Sequence, residues 1–236
     1  MREVGKPAIG KITSGPVRDA LARETIHYVY TQLPAWRDDR DRPDEQSENK
    51  LNSQLCKFLN TTRARNAFPM VKFEHEEYQT GRRSVDISAS PNAETTIGAK
   101  LYTPYDSIVV FECKRLPAPS HDREKNYVTG GTERKSGGIQ RFKLGLHGPK
   151  HDIAAMVGYL QAGSAFDWHD KINKWITELS NGTIPDVCFW NVSEMLEILE
   201  EDSSKGVANC SSTHNRSGSV KSNKILIRHL WVTMHS

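Results

Sequence analysis

Apolar positions along the chain change their period several times, and each change marks an element. In residues 15–32, "GPVRDALARETIHYVYTQ", Val17, Leu21, Ile26 and Val29 form one stripe of a helix, with Pro16 near its start. A charged connection, 37–46, follows. In "SENKLNSQLCKFLN", Ser47 is placed to cap a helix whose face carries Leu51, Leu55, Phe58 and Leu59. The period then drops to two. "MVKFEHEEYQ" (70–79) alternates Val71, Phe73 and His75 with charged residues, as a half-buried strand does. Gly81 marks a turn, and "SVDISAS" (84–90), closed by Pro91, is a second strand. Residues 91–106 read as a loop. "SIVVFECKRL" (107–116) is a continuous apolar run, the pattern of a central strand covered on both faces, and Pro117 and Pro119 end it.

The second half is less regular. Residues 118–138 are polar, glycine-bearing and basic, and read as a mobile connection. In "DIAAMVGYLQ" (152–161), the spacing of Ile153, Met156, Val157 and Leu160 predicts a helix. Another is predicted over 167–180; its Trp168 and Trp175, with Trp190, belong in the core. "DVCFW" (186–190) reads as a short strand, and Asn191 or Ser193 as the cap of a helix in "EMLEILEE". "GVANCSSTH" and "KILIRHLWVTM" pair as strands across a polar loop. The order predicts an α/β fold with one central mixed sheet flanked by helices. A single domain would cover 1–236, with a core at about 47–160, an N-terminal helical segment at 1–46 and C-terminal helices and a strand pair at 161–236.

Composition narrows the setting. The 236 residues are 36% hydrophobic and 26% charged, enough for a core under a very polar surface. A net charge of +3 only weakly favours an anionic partner. No apolar run is long enough to span a bilayer, and "MREVGKPAIGKITSG" lacks the apolar stretch of a secretory signal. Cys56, Cys113, Cys188 and Cys210 form no C-x-x-C pair, so free thiols in a reducing cytoplasm are expected.

The chemistry concentrates where the third strand ends. Glu112 and Lys114 are two apart and share a face, while Cys113 points into the core with Val109 and Phe111. An ion pair there carries a desolvation cost that roughly offsets its Coulomb attraction, so charges retained in such a place point to a task. E-x-K also occurs at Glu48–Lys50 and Glu133–Lys135, but only the middle copy ends an apolar strand. Asp86 faces away from Val85 and Ile87, and antiparallel pairing would set it beside Glu112. Two carboxylates on neighbouring strands suit a hard cation, Mg²⁺ first and Mn²⁺ as its substitute. Glu48 is a candidate third acid, although its place in the first helical turn also complements the helix dipole; Glu45 competes with it. His147 and His151 are four apart, but Pro149 interrupts them and no third zinc ligand is evident. His229 reads as a buried strand residue, and His214 and Arg216 as hairpin residues.

Glu48 on a helix, then the strand pair carrying Asp86, then Glu112-Cys113-Lys114 closing "SIVVFECK", together resemble the PD-(D/E)xK nuclease superfamily over about residues 47–160. Val85 stands where many members carry Pro. The resemblance implies a restriction-endonuclease-like core and Mg²⁺-dependent hydrolysis of phosphodiester bonds, most readily in DNA, in restriction or anti-phage defence. It makes Asp86, Glu112 and the main-chain carbonyl of Cys113 metal ligands, with Glu48 acting through water and Lys114 as the positioned cation. Arg134, Lys135, Gln140, Arg141 and Lys143 would meet the nucleic-acid backbone, with a helix starting near Gly138. The small net charge leaves room for a partner subunit or a homodimer to supply DNA affinity. The alternative is a nuclease-like module that binds nucleic acid or a partner protein without cutting.

Overall fold

A computed structural model describes residues 19–79, 83–97 and 100–234. The helix start expected at Pro16, the turn expected at Gly81 and the N-terminal stretch through Gly15 lie outside them. The chain forms α1 (Ala20–Arg37), α2 (Glu48–Leu59), α3 (Thr62–Ala67), β1 (Val71–Tyr78), β2 (Ser84–Pro91), β3 (Thr95–Ile97), β4 (Lys100–Tyr102) and β5 (Val109–Leu116). A 3-10 turn (His121–Tyr127), α4 (Gly131–Arg134) and α5 (Gly138–Lys143) lead to β6 (Ile153–Leu160). Then come α6 (Ala165–Ser180), β7 (Glu200–Asp202), β8 (Val207–Asn215) and β9 (Lys224–Thr233).

Seven strands make one mixed sheet in the order β1-β2-β5-β6-β9-β8-β7. The three central strands, β5, β6 and β9, are parallel, and the outer pairings are antiparallel. The fold is therefore α/β, with helices on both faces of the sheet. On one face α1 and α2 bury Leu21, Val29, Leu33, Leu51 and Leu55 against Val109, Phe111, Cys113 and Val157. On the other, α5 and α6 bury Ile139, Phe142, Trp168, Ile172 and Trp175 against Val110, Met156, Leu160 and Trp231. Burial of that many large side chains, about 1.5–3 kcal/mol each, is the main force holding the layers together. The strand pair at the C-terminus joins the same sheet, and β9 lies at its centre, so the core extends well past residue 160. Among the described residues no helix is long and apolar enough to cross a membrane, and the four cysteines are unpaired.

Five expectations are corrected. The stretch 152–161 is a strand, not a helix. All eight residues of β6 are buried: Ile153, Ala155, Val157 and Tyr159 meet one core, and Ala154, Met156 and Leu160 the other. A strand that is apolar on both faces satisfies helical spacing by default. Residues 91–106 hold the hairpin β3–β4. The 118–138 connection is fixed by Tyr127 and Val128, both sunk in the core. Neither a strand at 186–190 nor a helix over "EMLEILEE" forms. Asp186 bonds the side chains of Thr129 and Gln140 instead. Asn191 caps only a single 3-10 turn (Val192–Glu194). Beyond it the chain is held extended, because Asn173 on α6 bonds both backbone groups of Leu196 and the Glu197 N–H bonds Ser211 of β8.

Behind the sheet runs a buried polar chain. Trp231 Nε1 can only donate, and it gives its hydrogen to the Tyr127 hydroxyl at 2.9 Å. Tyr127 then donates to His229 Nδ1 (2.8 Å), His229 Nε2 to Ser212 Oγ (2.8 Å), and Ser212 to His214 Nε2 (2.7 Å). His214 Nδ1 faces Glu194, which pairs with Lys143. Burial lowers the pKa of both imidazoles, so each stays neutral, as this one-way order of donors requires.

Candidate functional site

β5 leaves the core at its carboxyl end, the end at which open α/β sheets usually bind ligands. There Glu112 is fully buried and Lys114 nearly so. The β2–β5 ladder stops at Ile87 opposite Phe111. One residue further, the Asp86 carboxylate replaces a ladder carbonyl, and its Oδ2 accepts the Cys113 N–H at 2.7 Å. Val85 packs with Val110 and Leu116, whereas Ile87 packs with Val109 and Phe111. The strand therefore twists through Asp86, which corrects the expectation that Val85 and Ile87 share a face and seats the acid in the fork between the strands. Cys113 points into the core as expected.

The start of α2 closes the fork. Glu48 Oε2 accepts the Arg115 N–H at 3.0 Å, which ties helix to sheet end. Its Oε1 lies 3.2 Å from Lys114 Nζ. The same ammonium is 2.9 Å from Glu112 Oε1, 3.0 Å from the Cys113 carbonyl and 4.0 Å from Asp86 Oδ2. Three carboxylates and one main-chain carbonyl thus surround a single cationic atom. Glu112 has further partners. Arg141 Nη1, from α5, donates to its Oε1 at 2.6 Å, and His147 Nδ1 lies 2.8 Å from its Oε2. Gly138 makes room for α5 here, since a Cβ on it would come within 2.4 Å of Met156 and 3.4 Å of Glu112.

The electrostatics divide the acids. Burial alone would raise the pKa of Glu112, but Lys114, His147 and Arg141 outweigh it and hold the carboxyl well below its usual range. Asp86 is pushed up to about 7, first by burial and then by repulsion from Glu112, with Lys114 and the Cys113 N–H opposing. For Lys114, burial works against the charge, yet Glu112, Glu48 and Asp86 together hold its pKa above the ordinary value.

Among the described residues, no three His, Cys, Asp or Glu side chains form a ready-made ion site. The donors nonetheless fit a hard divalent cation in kind: carboxylate oxygens and a carbonyl, with one carboxylate destabilised by its neighbour's negative charge. The Lys114 ammonium sits at their centre.

A cleft of about 610 Å³ opens over this cluster, and Glu48, Asp86, Lys114, Arg141 and His147 form part of its lining. Of the basic residues expected to face nucleic acid, Arg134 and Lys135 are exposed, while Arg141 is committed to Glu112. Gln140 and Lys143 are corrections. Gln140 is fully buried; it accepts from the Gly130 and Gly137 N–H groups and donates to the Gly131 carbonyl and Asp186. Lys143 is buried against Glu194 and the Trp190 ring. Both hold loops in place. His147 does not pair with His151, whose burial, with Lys100, Lys221 and Arg216 nearby, lowers its pKa to about 4. Arg216 donates to the carbonyls of Phe142, Gly148 and His151. Sequence reasoning missed the role of His147 and missed Arg83, Arg115 and Arg123 on the cleft wall; only the fold brings them to Glu112 or to this opening. Comparison of the chain with protein-family models, with curated proteins and with solved structures returned no match.

Proposed function

We propose that the chain is a divalent-metal-dependent phosphodiesterase that cuts DNA, the chemistry its PD-(D/E)xK resemblance implies. The observation carrying this reading is the convergence of Glu48, Asp86, Glu112 and the Cys113 carbonyl on one cation position inside a cleft. Asp86, Glu112 and the Cys113 carbonyl would hold Mg²⁺ or Mn²⁺, with Glu48 beside them. When bound, such an ion supplies an activated water and polarises a phosphoryl oxygen.

The chain's own groups do the rest. Lys114 keeps its proton, because three acids surround it, so it serves as a positioned cation for phosphate charge and not as a general base. Arg141 holds Glu112 by a hydrogen bond, with His147 packed 2.8 Å from its other oxygen. The Glu48–Arg115 bond sets where α2 meets the sheet. A second reading, a binding module that does not cut, draws on the same contacts: Glu112 already has three cationic or proton-bearing partners.

Supercoiled plasmid incubated with 5 mM Mg²⁺ or with EDTA separates the two. Nicking or linearisation that needs the metal, and that falls at least about 100-fold in Lys114→Met, supports hydrolysis. Intact plasmid with Mg²⁺ and with Mn²⁺, or equal cutting by Lys114→Met, contradicts it.

A further inference from the structure

We infer that Arg83, Arg115 and Arg123 form a backbone clamp on the cleft wall that holds duplex nucleic acid by its phosphates, without reading bases. The inference rests on the phosphodiester reading of the cleft, but it concerns binding and not cleavage.

The three arginines come from three places in the fold: the residue before β2, the end of β5 and the 3-10 turn at His121–Tyr127. All three line the same opening. The acids of that opening already have cations. Glu48 and Asp86 face Lys114, and Glu124 pairs with Lys171 at 2.6 Å. Among the described residues, none of the three guanidinium groups has a carboxylate within ion-pair distance. Among the described residues the Arg83 guanidinium makes one long bond, 3.4 Å, to the Lys135 carbonyl, and Arg123 is exposed. Arg115 Nε is buried and has no hydrogen-bond partner among the described residues. The wall therefore carries surplus positive charge above an acidic floor. This suits a polyanion whose outer phosphates meet the arginines while one phosphate reaches the cluster.

The same lining argues for backbone recognition. Its aromatic rings belong to Tyr127 and His147, each 1% exposed, the first turned into the core and the second against Glu112. Single-strand sites stack bases on exposed aromatic rings, and this wall offers none. A duplex, whose bases are already stacked internally, needs only the charges.

Fluorescence anisotropy in EDTA tests the clamp with a 20-base-pair duplex and with one of its strands alone, over a NaCl series. Arg83→Ala/Arg123→Ala, both changes at solvent-accessible positions, is compared with Arg83→Lys/Arg123→Lys, each checked for an unchanged melting curve. The wild type binds duplex more tightly than single strand. The alanine pair weakens duplex binding roughly fivefold to tenfold per arginine and lowers the salt slope by about 0.9 for each; the lysine pair restores most of both. Unchanged affinity and slope in the alanine pair overturn the clamp even if plasmid is cut, and tighter binding of the single strand overturns the duplex assignment. Salt-sensitive binding without cutting supports the clamp while removing the hydrolytic reading.

Discussion

Asp86→Asn removes a carboxylate that the fold holds at a loss. The carboxyl moves from 3.8 to about 7 on folding. The gap is about three pH units, at about 1.36 kcal/mol each, so its ionisation opposes folding by at most about 4 kcal/mol. The sign follows from proton counting. Between about pH 4 and 7 the folded chain keeps a proton that the unfolded chain has released, so stability falls as pH rises through that window and levels above it. Below pH 4 both forms are protonated and the penalty vanishes. Asparagine keeps an oxygen to accept the Cys113 N–H, but Lys114 loses one of its three acids, which offsets part of the gain. The expected net stabilisation is about 1–2 kcal/mol at pH 8, or roughly 2–8 °C in Tm for a chain of this size. Urea melts in EDTA at intervals from pH 4.5 to 8.5 measure it. An Asp86→Asn variant less stable than wild type at pH 8, or a difference between the two that does not grow with pH, would show that the carboxylate is not held at a loss.

Other consequences can be checked separately. Because Asp86 must lose its proton to bind an ion, Mg²⁺ or Mn²⁺ affinity rises about tenfold per pH unit up to about pH 7 and flattens beyond; titration calorimetry in buffers of different ionisation heat registers the released proton. Lys143→Met strands Glu194 inside the protein and costs about 3–5 kcal/mol, much of which Lys143→Met/Glu194→Gln recovers, as read from urea midpoints. Gly158→Ala places a Cβ 2.4 Å from the Trp231 ring and costs about 1–3 kcal/mol by overpacking the centre of the sheet, with a shift in tryptophan fluorescence.

What the sequence disclosed follows the range of the forces involved. β1, β2, β5 and the β8–β9 pair were legible because each alternates or runs apolar between clear breakers. So was α2, which starts directly after Ser47, although the Ser47 side chain makes no cap bond. β6 was not, since a strand buried on both faces leaves no period to read. The segment after α6 misled for the opposite reason: local helix formers there are overridden by Asn173 and by the edge of β8. In the site, spacing placed Glu112 and Lys114 together, and strand pairing brought Asp86 to them. It did not show that the ladder forks at Asp86, that His147 folds back onto Glu112, or that Gln140 and Lys143 serve loops and an internal ion pair. Those are contacts between distant parts of the chain, and charge alone does not reveal which basic residue will find an acid.

The most direct test is a crystal structure grown with Mn²⁺, read by its anomalous signal. One strong peak is expected between the side chains of Asp86 and Glu112, against the carbonyl of Cys113, with the ammonium of Lys114 moved from the position it holds among the acids. Lys114 still seated there, with no peak at those oxygens, would contradict metal binding there.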